Sequence, residues 1–303
     1  MSKNGNLHQA RKKKNNEFYT MYEDIEKELV NYIDFLKDKV VYCNCDDYRM
    51  SNFVKYFKDN FKTLGLKKLI STNYNNGTGA YKFEYNGEVG VISILLGDGD
   101  FRSDECIAFL KEADVVVTNP PFSLFREYVA QLMEYEKKFL IIGNNNAITF
   151  KEIFPLIKDN KLLLGVTRQG TGSMWFEIPK DFPKKVGQKE ENGIRYQTIG
   201  NSAWFTNIEY NKRHQPIDLY RRYNPEDYPK YDNYDAINVD KVSEIPIDYD
   251  GVMGVPITFL GKYCPEQFEI VSFRKGEDGK NLVFTKDGKI VQPYFRILIK
   301  QKK

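Results

Sequence analysis

The chain has 303 residues, 41% of them apolar and 29% charged, with 45 basic against 42 acidic side chains. That length suits one large domain or a core with a smaller companion, and the composition excludes disorder along the whole chain. No run approaches the ~18 consecutive apolar residues of a membrane helix, and the polar, basic stretch 1–14 has no apolar centre, so neither a membrane span nor a secretory signal is expected.

Residues 1–14 read as a basic tail, and Glu17 to Leu36 as a helix, with Ile25, Leu29, Tyr32, Ile33 and Leu36 on one stripe. Lys39 to Cys45 is a short apolar run ending in polar residues, the signature of a buried parallel strand. Ser51 to Phe61 carries a second helical stripe that Gly65 stops, and Leu66 to Ser71 is a second strand. A hairpin is expected at Tyr81 to Tyr85 and Val89 to Leu95, then a loop from Gly97 to Phe101 and a helix from Ser103 to Glu112. Asp114 to Thr118 is a third core strand; it runs into Asn119-Pro120-Pro121-Phe122 and a helix from Leu124 to Tyr135. Lys138 to Gly143 is a fourth strand.

Strands alternating with helices predict an α/β fold with a mostly parallel sheet. Beyond about residue 165 the pattern turns β-rich: Ser173 to Ile178, Ala203 to Ile208, Val255 to Leu260, Phe268 to Phe273, Leu282 to Thr285 and Tyr294 to Ile299 all read as strands. Residues 216–250 are crowded with Pro, Asp, Asn and Tyr, as a long irregular connection would be.

Cys43, Cys45, Cys106 and Cys264 are too few for a disulfide framework, and His8 and His214 have no metal-ligand spacing to them. No metal site and a reducing, cytoplasmic setting are expected. Basic residues cluster at Arg11-Lys12-Lys13-Lys14, at Arg221-Arg222 and at the C-terminal end. Each cluster reads either as a solvated face or as a contact to a polyanion.

Ligands of open parallel sheets bind beyond the carboxyl ends of the strands. Three polar clusters fall at such ends: Asn44 to Asp47, Asp98 to Phe101 and Asn119 to Phe122. In the last, two prolines remove backbone donors and stiffen the turn, leaving carbonyl oxygens and the asparagine oxygen to accept. That suits an amino group. An exocyclic base amine has its lone pair delocalised into the ring, and hydrogen bonds from its N–H groups to Asn119 and the Pro120 carbonyl would localise that pair. Phe122 would stack on the base. The alternative reading of the tetrapeptide is a stiff strand-to-helix turn, with Ser123 capping the following helix.

The tetrapeptide and its surroundings resemble the EcoRI-type adenine-specific DNA methyltransferases. The matching segments are Glu17 to Thr20 with Tyr22 to Glu26, Val40 to Asp47, Gly97 to Ser103, Val116 to Ser123 and Asn201 to Asn207. The resemblance implies a Rossmann-like methyltransferase sheet over 15–210 and a β-rich target-recognition region over 211–303. It implies S-adenosylmethionine as cofactor, bound by Phe18, Tyr19, Thr20, Cys43, Asn44, Cys45, Asp46, Asp47, Asp98, Asp100 and Phe101. Relatives carry a glycine in the loop corresponding to 43–47, where this chain has none. Asn119, Pro120, Pro121 and Phe122 are the implied catalytic residues, with Trp204 and Phe205 joining Phe122 around a flipped adenine in double-stranded DNA. Arg11, Lys12, Lys13 and Lys14 would meet the DNA backbone. A cognate restriction endonuclease sharing the target site, without direct contact, is the partner such an enzyme implies. N4-cytosine, RNA and protein-glutamine methylation use similar tetrapeptides, and a non-catalytic nucleic-acid-binding module is the alternative of a different kind.

Overall fold

β-branched runs buried on both faces build the centre of the sheet, because a strand with no polar face has to be covered from both sides. The computed structural model describes residues 19–75, 79–167, 174–178 and 182–302. It divides into two units, Met1–Ala147 with Gly165–Ile208, and Ile148–Leu164 with Glu209–Lys303.

In the first unit, β1 (Tyr19–Thr20) precedes the helices α1 (Tyr22–Leu29) and α2 (Ile33–Leu36). Strand β2 (Val40–Cys43) leads through α3 (Asn52–Asp59) to β3 (Lys68–Thr72). The hairpin β4 (Tyr81–Tyr85) and β5 (Gly90–Ile94) follows, then α4 (Asp104–Glu112), β6 (Val115–Thr118), α5 (Phe125–Glu134) and β7 (Lys138–Asn144). Every residue of β2 and β6 is buried. Two expected helices start on hydroxyl caps: Ser51 Oγ accepts from the Phe53 and Val54 amides, and Ser103 Oγ from the Cys106 amide. Ser123 caps nothing. Phe122–Leu124 form a 3₁₀ turn and α5 begins after Leu124 without a side-chain cap.

The fold class is α/β, as expected, but the sheet is mixed. β3, β2, β6 and β7 pair in parallel, whereas β4, β5 and β12 (Ser202–Thr206) enter antiparallel. The strands of this unit run in the order β5-β4-β3-β2-β6-β7-β12. The turn between β4 and β5 is too short for a parallel crossover. There Asn86 Oδ1 accepts from the Glu88 and Val89 amides and Gly87 takes φ +95°. All of β5 is exposed. A smaller antiparallel sheet joins β1, β9 (Met174–Ile178), β11 (Ile194–Ile199) and β10 (Gln188–Glu191).

The second unit holds β8 (Leu163–Leu164), α6 (Phe154–Lys158) and a four-stranded sheet in the order β13-β14-β18-β15. Its strands are β13 (Ala236–Asn238), β14 (Val252–Pro256), β15 (Phe268–Phe273) and β18 (Arg296–Gln301). The hairpin β16 (Phe284–Lys286) and β17 (Lys289–Val291) stands beside them in sequence, and Tyr231, Ala236, Leu282, Phe284 and Leu298 share one core. The strand expected at Val255 to Leu260 ends instead at Pro256, which offers no ladder donor, and continues as a 3₁₀ helix, Ile257–Lys262. Residues 148–164, placed by sequence with the first region, group with the second.

Candidate active site

Chain order among the parallel strands reverses between β2 and β6: from β2 the chain moves outward to β3, then returns to place β6 and β7 on the other side. Such a switch point opens a crevice beyond the strand ends. A cavity of about 660 Å³ lies in the first unit, lined by Asn44–Asp47 after β2, Asn73–Asn75 after β3, and Asn119, Pro121, Ser123 and Leu124 after β6. Tyr19 and Thr20 of β1 and Gly99–Arg102 complete much of the wall. All three polar clusters found in the sequence thus meet at one cavity.

Asp46 ties these segments together. Its carboxylate accepts from the Ser51 hydroxyl at 2.6 Å and from the Thr118 hydroxyl at 2.5 Å. One bond reaches the cap of α3 and the other reaches the residue just before Asn119. Its amide donates to the Thr72 carbonyl at 2.9 Å, joining the end of β3. Burial pushes the Asp46 carboxyl up to about 6, against the lowering effect of the two hydroxyls. Asn44, also buried, accepts from the Tyr128 hydroxyl on α5. The Asn52 side chain donates to the Thr20 carbonyl at 2.8 Å, fixing β1 against the start of α3. Cys45 lines the cavity as a neutral thiol, since burial lifts its pKa well above the ordinary value.

Two carboxylates in the wall are paired with arginines two residues on. Asp47 accepts from Arg49 Nε at 2.9 Å, and Asp100 accepts from Arg102 Nε at 2.8 Å and Nη2 at 2.6 Å. Burial raises the Asp47 pKa, but the Arg49 hydrogen bonds outweigh it and the net shift is downward; for Asp100 the Arg102 hydrogen bonds dominate, with the same result. Both stay ionised, and each keeps lone pairs beyond those the guanidinium takes. Gly99 has φ +76°, and a Cβ there would stand 2.0 Å from the Asn73 carbonyl oxygen. Only glycine lets these two stretches of wall close on each other.

Not every expected residue reaches the cavity. Tyr19, Thr20, Asn44, Cys45, Asp46, Asp47, Asp100, Phe101, Asn119 and Pro121 line it; Cys43, Asp98, Pro120 and Phe122 do not. Cys43 is wholly buried inside β2, with its thiol facing the core instead of a ligand. Trp204 and Phe205, expected beside a base, are core side chains, 1% and 0% exposed. Trp204 meets Phe53 edge-on at 6.0 Å and Phe205 packs on Phe125 at 5.0 Å. Since β12 is buried along its whole length, neither ring has an open side. Phe53 itself lines the cavity, so Trp204 sits one layer behind the wall. Phe18 and Arg11, Lys12, Lys13 and Lys14 lie outside the described residues.

Sequence reasoning missed Asn73–Asn75, Arg49, Arg102 and Phe53. The strand-end rule applied to β3 would have found the asparagines. The arginines carried a signal too, an Asp-x-Arg spacing repeated at 47–49 and 100–102.

The donor set can be tested against a sulfonium amino acid nucleoside. A volume of about 660 Å³ is that of a small-molecule site. Asp46 is a buried carboxylate with no cation beside it among the described residues, and Thr20 Oγ1 is buried without a hydrogen-bond partner. An ammonium group answers the first and a donor or acceptor the second, so the residues fit such a ligand. No group of His, Cys, Asp and Glu able to hold a metal occurs among the described residues.

The chain is similar to known proteins along nearly its whole length. The family described as "Adenine-specific methyltransferase EcoRI" matches residues 6–302. Type II methyltransferase M.EcoRI of Escherichia coli is 52% identical, covering 98% of this chain and 96% of its own. M.MgeORF184P of Mycoplasma genitalium and M.MpnI of Mycoplasma pneumoniae, also Type II methyltransferases, are each 43% identical over 88% of this chain, and over 85% and 84% of their own lengths. With the match running from the basic tail to the last strand, the chain belongs to the EcoRI family of adenine-specific methyltransferases.

Proposed function

We propose that this enzyme transfers a methyl group from S-adenosylmethionine to N6 of an adenine turned out of double-stranded DNA. The observation that carries the reading is the convergence of Asn44–Asp47, Gly99–Phe101, Asn119 and Pro121 on one cavity at the switch point of the α/β sheet. Tyr19, Thr20, Asn44, Cys45 and Asp46 hold the amino-acid end of the cofactor, and Asp100 and Phe101 its adenine. S-adenosylmethionine supplies an electrophilic methyl group when bound.

The remaining chemistry belongs to the turn after β6. The Asn119 side chain and the Pro120 carbonyl accept from the adenine N6 hydrogens, drawing the nitrogen lone pair out of the ring and aiming it at the cofactor. Positioning of this kind supplies a large part of a transfer rate. No strong base is needed, because the nitrogen loses its proton after it has become cationic. Turning out a base costs a few kcal/mol. Phe122, partly exposed in the 3₁₀ turn, is the ring that stacks on the base and returns ~1–3 kcal/mol. Trp204 acts by backing Phe53 and not by touching the base. Residues 211–303 form the recognition region, and Arg11 to Lys14 meet backbone phosphates.

Methyl transfer from labelled S-adenosylmethionine to mixed-sequence duplex DNA, followed by nucleoside analysis, tests the reading. N6-methyladenine is expected. Asn119→Ala should lower turnover on the order of 10²–10³, as loss of one transition-state hydrogen bond does elsewhere, with DNA affinity little changed. Label in cytosine, or normal turnover with weakened binding, would refute the assigned roles.

A further inference from the structure

The second unit contains an arginine that the fold holds in place without pairing it. Arg274, just after β15, has φ +46°, a left-handed conformation that costs a non-glycine residue energy and marks functional positions more often than random ones. Its amide donates to the Arg296 carbonyl at 2.8 Å, and its carbonyl accepts from the Leu282 amide at 3.0 Å, so the strained turn is pinned from two sides.

The guanidinium lies over the Phe295 ring at 4.6 Å and the Phe273 ring at 5.5 Å. Phe273 stacks on Phe154 at 4.8 Å, and Phe295 stacks on Tyr294 at 4.7 Å. The outermost ring, Tyr294, is 71% exposed. Arg213, Arg222 and Arg296 of the same unit pair with carboxylates at 2.6, 3.3 and 3.4 Å. The Arg274 side chain has no hydrogen-bond or carboxylate partner among the described residues.

Stacking uses only the faces of a guanidinium. Its five N–H donors lie in the edge, and here the rings of Phe273 and Phe295, inclined at 65° to each other, restrict where the side chain can swing. Holding the side chain in advance removes much of the rotamer entropy that a flexible arginine loses on binding. A planar fork of donors matches the O6 and N7 acceptors of guanine in the major groove.

We propose that Arg274 is a specificity-determining residue that reads a guanine edge in the DNA target, with Tyr294 packing against the neighbouring base or sugar. The proposal rests on the second unit being the recognition region.

The test maps the methylated motif by modification-sensitive sequencing of mixed-sequence DNA treated with the wild type, Arg274→Ala and Arg274→Lys. Lysine keeps the charge and loses the fork, and it suits the same backbone, so it decides the matter if the alanine variant melts early. Both variants should methylate a motif in which one guanine position has become degenerate. Methylation of the original site should fall ~10–100-fold, as expected when one bidentate hydrogen-bond pair to a base is removed. An unchanged motif overturns the proposal. So does an equal loss of binding on all sequences, with the salt slope of the alanine variant reduced by about 1, since that is the mark of a phosphate contact. A wild-type enzyme that leaves DNA unmethylated overturns the underlying functional reading, and this one with it.

Discussion

Asp46 is the residue on which the catalytic cavity's geometry most visibly depends, and its titration can be separated from that of the rest of the chain. Its folded pKa of about 6 lies above the value of ~3.9 for an exposed aspartate. Between those values the folded state binds a proton that the unfolded state has lost, so stability falls as pH rises from about 4 to 6 and levels off above. Asp46→Asn removes this contribution and leaves every other group in place. Urea midpoints of wild type and variant, compared at each pH, should therefore diverge in favour of the variant as pH rises through that window. A gap that narrows instead would mean the carboxylate is stabilised by its hydroxyl partners more than burial penalises it. At this scale the sequence was legible where polar residues interrupt apolar runs, as at Asn44–Asp47 and Asn119. It misled at Trp204 and Phe205, because an aromatic pair reads equally as a base platform or as core. The continuous run Ala203-Trp204-Phe205 carried the deciding information: with no polar alternation, both faces had to be covered.

At the scale of elements, α1 is secured by a buried carboxylate rather than by apolar packing alone. Glu28, 0% exposed, accepts from the Val166 and Thr167 amides at 2.7 Å each, from the Thr167 hydroxyl at 2.5 Å and from the Tyr32 hydroxyl at 2.9 Å. Burial raises its pKa, and these donors oppose the rise. Glu28→Ala would leave four donors facing a cavity, and an unsatisfied buried group costs ~1–3 kcal/mol. A loss of at least ~3 kcal/mol in urea unfolding is expected; a loss below ~1 kcal/mol would show that water replaces the carboxylate. Periodicity and turn chemistry revealed β2, β6, the hairpin and both serine-capped helices, since those depend on neighbours in sequence. The bond between α1 and residues 166–167, the antiparallel entry of β12 and the grouping of 148–164 with the second unit depend on distant partners, and no local pattern announces them.

Across the whole molecule, 45 basic and 42 acidic residues nearly cancel, so any attraction to a polyanion has to come from where the charges sit. Arg11, Lys12, Lys13 and Lys14 place four cations in succession. Deleting residues 1–14 should flatten the dependence of DNA affinity on salt, by ~0.9 in log–log slope for each phosphate that these cations neutralise in the intact chain. An unchanged slope would mark the segment as a solvated tail.

The long span from Glu28 to the amides that donate to it also sets a schedule for biosynthesis. The carboxylate is 138 residues ahead of Val166 and 139 ahead of Thr167. Ribosomes add ~5–20 residues per second, so α1 waits on the order of 10 s after its own synthesis before the two distant amides reach its carboxylate. β12, the strand beside β7, arrives later still. Between the synthesis of β7 and that of residues 166–167 the nascent chain exposes a carboxylate and an open sheet edge at once, and a chaperone or a paused ribosome would act on the yield of folded protein there, before any substrate has been met.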